Sequence, residues 1–166
     1  MPAVDPGKSK PTMSFEHINA FVEAAVRTFT DMCEVQTERD GDLQVRKGMF
    51  GTYDLIGLIG LSGDVRGAVM LTMPVLTGKR LVSSFIGEPI RETGADLMDG
   101  YGELVNIIAG AAAARMGDGH VQISLPAVFI GKDMKTSAQN NRPWIIIPMK
   151  FESWGKYNIE ISREGV

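Results

Sequence analysis

Asp99, Glu103 and Asn106 recur at steps of four and three residues within a stretch of helical periodicity. At ~100° per residue, Leu97, Tyr101, Leu104, Ile108 and Ala112 fall on one face of such a helix, and Asp99, Glu103, Asn106, Gly110 and Ala113 on the opposite one. The first stripe predicts core and the second predicts solvent. The solvent stripe carries two carboxylates and an amide, then only glycine and alanine. It offers acid and amide chemistry on a low-profile surface that another protein could approach closely. Glu103 and Asn106, three residues apart, are neighbours on it. Periodicity alone also admits a plain solvated face with ordinary charges.

Other chemistries find little support. Gly57, Gly60, Gly63 and Gly67 resemble a phosphate-binding loop, but such a loop must join a strand to a helix, and these glycines lie between two predicted strands. They read as hairpin and close-packing glycines. Gly78-Lys79 is followed by Arg80, and Met73 stands where the first P-loop glycine would be, so no nucleotide site is indicated. His17 and His120 lie about a hundred residues apart without nearby ligand partners, which leaves no metal motif. Cys33, the one cysteine, sits among apolar residues and reads as a buried inert thiol. No Ser, His and Asp combination stands out.

The elements that must position the acid-amide stripe follow from periodicity. Ser14 is a plausible N-cap, and Phe15, Ile18, Phe21, Val22, Ala25, Val26, Phe29 and Met32 predict a first amphipathic helix. Strands are expected over Glu34–Glu38, Leu43–Lys47, Asp54–Leu61 and Gly67–Met73, with turns at Asp40-Gly41 and Ser62-Gly63-Asp64. Pro74 opens a second helix that ends at Gly87, and the third, carrying the stripe, follows Thr93-Gly94. Further strands are expected over Val121–Ile130, Trp144–Phe151 and Tyr157–Ser162, with Met134–Arg142 as an exposed polar loop. In the last strand Tyr157, Ile159 and Ile161 alternate with Asn158, Glu160 and Ser162, as expected where one sheet face is covered. Helices kept apart from hairpin-linked strands predict an α+β fold, a largely antiparallel sheet with helices packed on one face.

Composition sets outer limits. A chain of 166 residues with 44% hydrophobic residues predicts one domain, here 14–166. Residues 1–13 read as a disordered lead-in without a signal-peptide core. A net charge of −3, with basic residues scattered, argues against nucleic acid or an anionic membrane as partner. Apolar runs fall short of the roughly 18 residues that a spanning helix needs. One cysteine forms no internal disulfide, so a reducing cytoplasm is the expected location.

The stretch Asp99-Gly-Tyr-Gly-Glu103-Leu-Val-Asn106-Ile-Ile-Ala-Gly110, with Ile123-Ser-Leu-Pro126 beyond it, resembles the CheC/CheX family of bacterial chemotaxis phosphatases. That family's signature is Asp or Ser, three residues, Glu, two residues, Asn, then a distant Pro. Asp99, Glu103, Asn106 and Pro126 match it. Phe15–Phe29, the Gly57–Gly67 hairpin and Leu125–Lys132 also look like the corresponding parts of CheX-type chains. Nineteen residues separate Asn106 from Pro126, fewer than the family commonly has. CheC-type chains carry two copies of the signature. Here Glu16 and Asn19 repeat only the acid-amide spacing, with Thr12 at the leading position and no answering proline, so the chain looks CheX-like.

The resemblance implies a phosphatase acting on the aspartyl-phosphate of a CheY-like response regulator. In that chemistry a water must be held in line with the scissile P–O bond. Asn106 would enter the partner's site and orient this water, Glu103 would pair with the partner's active-site lysine, and Asp99 would support docking or helix geometry. Gly110 and Ala113 would let the two backbones approach. The chain would need no cofactor of its own, since Mg²⁺ belongs to the response regulator's site. The resemblance also suggests a homodimer formed through the sheet, in the region of Trp144–Ser162. A non-catalytic CheC-like domain that binds a phosphorylated receiver or a flagellar-switch component, or a purely structural domain, is the alternative.

Overall fold

A computed structural model of the chain describes residues 14–48, 53–116, 119–132 and 142–163. The expected lead-in and most of the expected polar loop after Asp133 lie outside these residues. The described residues form three helices, α1 (Phe15–Cys33), α2 (Val75–Ile86) and α3 (Ala95–Ala113). Eight strands accompany them: β1 (Thr37–Arg39), β2 (Gln44–Lys47), β3 (Leu55–Gly63), β4 (Gly67–Met73), β5 (Val121–Ile123), β6 (Ala127–Ile130), β7 (Pro143–Phe151) and β8 (Gly155–Arg163).

All strands join one antiparallel sheet in the order β1-β7-β8-β4-β3-β5, with β2 also on β7 and β6 also on β3. The expected helices and the β3–β4 hairpin are therefore present, whereas Asp40-Gly41 does not reverse the chain: β1 and β2 follow one another along β7 and do not pair with each other. β7 and β8 are interior strands, flanked on both sides, so a second copy meeting them would do so through a face rather than an edge.

Alternation along the strands sends Leu55, Ile59, Val69, Leu71, Ile147, Met149, Ile159 and Ile161 into one core with the helices. Phe29 of α1 makes edge contacts with Phe151 at 5.2 Å and Tyr157 at 5.6 Å, while Phe151 and Tyr157 stack at 4.3 Å. Such aromatic pairs add roughly 0.5–1.5 kcal/mol each beyond the area they bury. The hydroxyls of Tyr157 and Thr37 share a 2.6 Å hydrogen bond, which keeps the buried phenol paired.

Two other strand expectations need correction. The single strand expected over Val121–Ile130 is two, because Pro126 lacks the N–H that a continuous ladder requires. The polar side of β8 is also not open to solvent: Asn158, Glu160 and Ser162 are all buried. That side carries a second apolar cluster of Ile56, Met70 and Trp144. Glu160, fully buried, is held there by both guanidinium nitrogens of Arg46 at 2.6 and 3.1 Å, a bidentate pair reaching from β2.

Candidate functional site

α3 begins at Gly94 and carries Asp96 in its first turn, where a carboxylate complements the helix dipole. It is buried around most of its circumference. Gly57 on β3 makes the approach possible, since a Cβ there would lie 2.5 Å from Val105 Cγ2 and 3.1 Å from Tyr101 Cε1. Gly100 likewise leaves room for Val82 of α2. Inside this contact Tyr101, wholly buried, donates its hydroxyl to Leu71 O at 2.6 Å. Burial pushes that phenol well above its usual range, so it remains a neutral donor. Close packing on three sides and one buried hydrogen bond fix the axial rotation of α3.

That rotation decides what reaches solvent. Asp99 and Glu103 are exposed, and Asn106 and Gly110 are half-buried on the same side. Among the described residues, the side chains of Asp99, Glu103 and Asn106 have no hydrogen-bond or ion-pair partner. Ala113 does not share the exposed stripe: it is buried, at 6% exposure. Its azimuth falls within about 20° of Gly102, on the side of α3 that packs against the strands after residue 120. Ala111 and Ala114 are the exposed alanines instead.

The second half of the site is the break between β5 and β6. Ser124 N–H donates to Gly60 O at 2.9 Å, and Gly60 N–H donates to Ser124 Oγ at 2.9 Å, so the break is pinned to β3 from both directions. Ser124 Oγ in turn donates to Leu125 O at 3.0 Å. The pinned chain then lays Pro126 against α3, where its Cγ is 3.8 Å from the position a Cβ would take on Gly102. One strand earlier, Ile123 Cδ1 is 3.9 Å from the same position on Gly110. Gly102, Asn106 and Gly110 form one i, i+4, i+8 row. Asn106 thus stands at the middle of a row whose ends are glycines, Gly102 buried beneath Pro126 and Gly110 half-buried beside Ile123.

Asp99, Glu103, Asn106, Gly110 and Pro126 are brought together on one surface, and Ala113 lies beneath it. Sequence periodicity missed Leu125, which is 89% exposed beside Pro126. Its signal was present, since a proline inside an apparent strand marks a break, and the residue before it is steered into an extended conformation.

The remaining candidates behave as packing. Gly63 has φ +93°, and a Cβ there would collide with His120 O, so it serves the hairpin and the adjacent strand. Cys33 is buried and its thiol is pushed up to about 12 by desolvation, which removes it as a nucleophile at neutral pH. Among the described residues, no three His, Cys, Asp or Glu side chains are grouped to hold a metal ion, and no helix is long and apolar enough to cross a membrane.

Comparison with known proteins identifies the family and the fold. Residues 55–150, more than half of the chain, match the family model for the chemotaxis phosphatase CheX. The chain is 25% identical over 121 residues to the CheY-P phosphatase CheX of Thermotoga maritima, an alignment covering 71% of this chain and 77% of that one. A crystal structure of the chemotaxis protein CheX from Desulfovibrio desulfuricans superposes with a TM-score of 0.78 at 26% identity, covering 90% of this chain and all of the other. CheX in a CheX-CheY-BeF3-Mg²⁺ complex from Borrelia burgdorferi shares the fold, with a TM-score of 0.70 at 23% identity over 89% of this chain and 98% of that one. On the strength of that family match, with the relatives and solved structures beside it, the chain belongs to the CheX family of chemotaxis phosphatases.

Proposed function

We propose that this protein accelerates hydrolysis of the aspartyl-phosphate on a CheY-like response regulator. The observation that carries the reading is the unpartnered Glu103 and Asn106 side chains on a rotationally fixed helix, with Gly110 adding no side chain one turn after Asn106 and Gly102 letting Pro126 pack in one turn before it. The Thermotoga relative is a CheY-P phosphatase, and the Borrelia relative is complexed with CheY, BeF3 and Mg²⁺, which supports a phosphorylated receiver as the partner.

In this mechanism the receiver supplies the phosphoaspartate and its Mg²⁺, which neutralises charge on the phosphoryl oxygens. The Asn106 amide accepts a hydrogen bond from the attacking water and holds it in line with the P–O bond. A side chain with no competing partner is free to do this without first breaking a bond. Glu103, a turn away, forms a charge-assisted bond with the receiver's lysine and sets the register. Asp99 extends the same acidic edge toward the docking surface. Gly110 permits close approach, and the pinned Pro126 borders the site. We also propose a homodimer, with light scattering expected to give twice the chain mass; the chain mass alone would exclude it.

The test is decay of a phosphorylated CheY-type receiver with wild-type protein and with Asn106→Ala. Wild type should accelerate decay, and the variant should lose that acceleration while keeping much of its binding. Equal decay with both would overturn the assignment. Phosphate-dependent binding with unchanged decay in wild type would establish the non-catalytic alternative.

A further inference from the structure

We infer that Leu125 is the apolar anchor by which this protein grips its receiver beside the phosphorylation pocket. The inference rests on the proposed reading of Asn106. Leu125 is the most exposed of the large apolar side chains described, at 89%. Single exposed apolar residues are common and by themselves mean little. Three features of its setting make this one different.

The first is position. Ile123 lies beside Gly110 and Pro126 beside Gly102, so the chain between them runs along the row whose midpoint is Asn106. Leu125 therefore stands alongside Asn106. An amide that enters a partner's pocket must bring its immediate neighbours against the rim of that pocket, so docking buries Leu125 against the receiver. The second is rigidity. The reciprocal Ser124 and Gly60 bonds, the Ser124 Oγ bond to Leu125 O and the proline that follows hold the backbone on both sides. Little backbone freedom remains to be lost on binding. The third is composition. The neighbouring exposed groups, Asp99 and Glu103, are charged, and the glycines add no apolar side chain, so Leu125 supplies the apolar core that a specific interface places near its centre. The complementary feature on the receiver is an apolar patch or shallow pocket next to the acyl phosphate and its lysine.

The experiment measures two quantities with one probe, a CheY-type receiver from the same organism: affinity for its beryllofluoride- and Mg²⁺-activated form, and the decay rate of its phosphorylated form at saturating protein. Leu125→Ala should weaken binding about tenfold, the effect of losing a fully buried leucine from an interface. The decay rate at saturation should be unchanged, and Leu125→Met should restore most of the affinity. The melting temperature should not move, since the side chain is exposed. Affinity of Leu125→Ala within a factor of two of wild type would overturn the inference, as would a wild type that binds no activated receiver. Tight wild-type binding without accelerated decay, with Leu125→Ala still weakened, would sink the catalytic reading and leave the anchor standing.

Discussion

α1 and α3 carry the same acid-amide spacing, Glu16 with Asn19 and Glu103 with Asn106, yet their surroundings differ. One turn before Asn19 stands Phe15, 74% exposed, and one turn after it stands Glu23, engaged by Arg115 at 2.7 Å. Asn19 is itself exposed, with large side chains one turn to either side of it. One turn before and after Asn106 stand glycines. The difference teaches that the pair itself is cheap in sequence, while glycines on either side of the amide, a fixed helix and a pinned flank are not. Asn106 is half-buried where Asn19 is exposed, so what distinguishes the amide of α3 is a fixed setting rather than greater exposure.

The comparison breaks most sharply at the amides. Asn106→Ala should reduce accelerated decay by about a hundredfold or more, the scale of losing a group that positions reactants in the transition state. Asn19→Ala should change nothing in the same assay. If both variants lose activity, α1 is a second site and the contrast fails. Next come the acids. Glu103→Ala should raise the receiver concentration for half-maximal rate by about tenfold and flatten its salt dependence, because a charge-assisted bond is lost. Glu16→Ala should leave both curves in place.

A smaller effect separates folding from docking at the glycine. A Cβ on Gly110 would meet only Ile123 Cδ1, at 3.9 Å, so packing does not demand a glycine there. Gly110→Ala should therefore stabilise the protein by about 0.5–1 kcal/mol in denaturant titration, through helix propensity. Gly110→Leu should fold and yet slow receiver dephosphorylation. The smallest effects lie on α1. Glu23→Ala should cost less than about 1 kcal/mol, since its bond to Arg115 is exposed on both sides.

Cys33 marks the inward end of α1 and adds a pH signature. Burial raises its thiol from 9.0 to about 12, so the folded state keeps a proton that the unfolded chain loses above pH 9.0. The stabilisation is complete below pH 9.0 and is lost as pH rises toward 12. The denaturant midpoint should accordingly fall less steeply across that window in Cys33→Ala than in wild type. Equal slopes would refute the buried-thiol assignment.

The reason α3 could be read from sequence is that its acids and amide sit opposite a regular run of large apolar residues. The rotation of a helix packed on one side follows from such a run. Ala113 was misplaced because α3 is also packed on its flank, by the chain around Ile123–Val128. Alanine gives no hydropathy contrast to reveal that flank. β8 shows the same limit in another form. Its polar alternation correctly separated two faces, but burial of the polar one depends on Arg46, a residue from a strand distant in sequence. The break at Pro126 was marked in the chain, whereas the surface it would create beside Asn106 depended on a backbone pairing to Gly60, which no local pattern encodes.

Gly57 and Gly60 give β3 a role larger than that of a sheet element. One receives the helix that bears the amide, and the other fastens the break that bears Leu125 and Pro126. Both halves of the surface are therefore referenced to a single strand, as two tools are to one jig. The length of the chain joining them does not have to set their spacing. Nineteen residues between Asn106 and Pro126 can do the work of a longer connection, and a small insertion at Gly119 should lengthen the link without moving either tool.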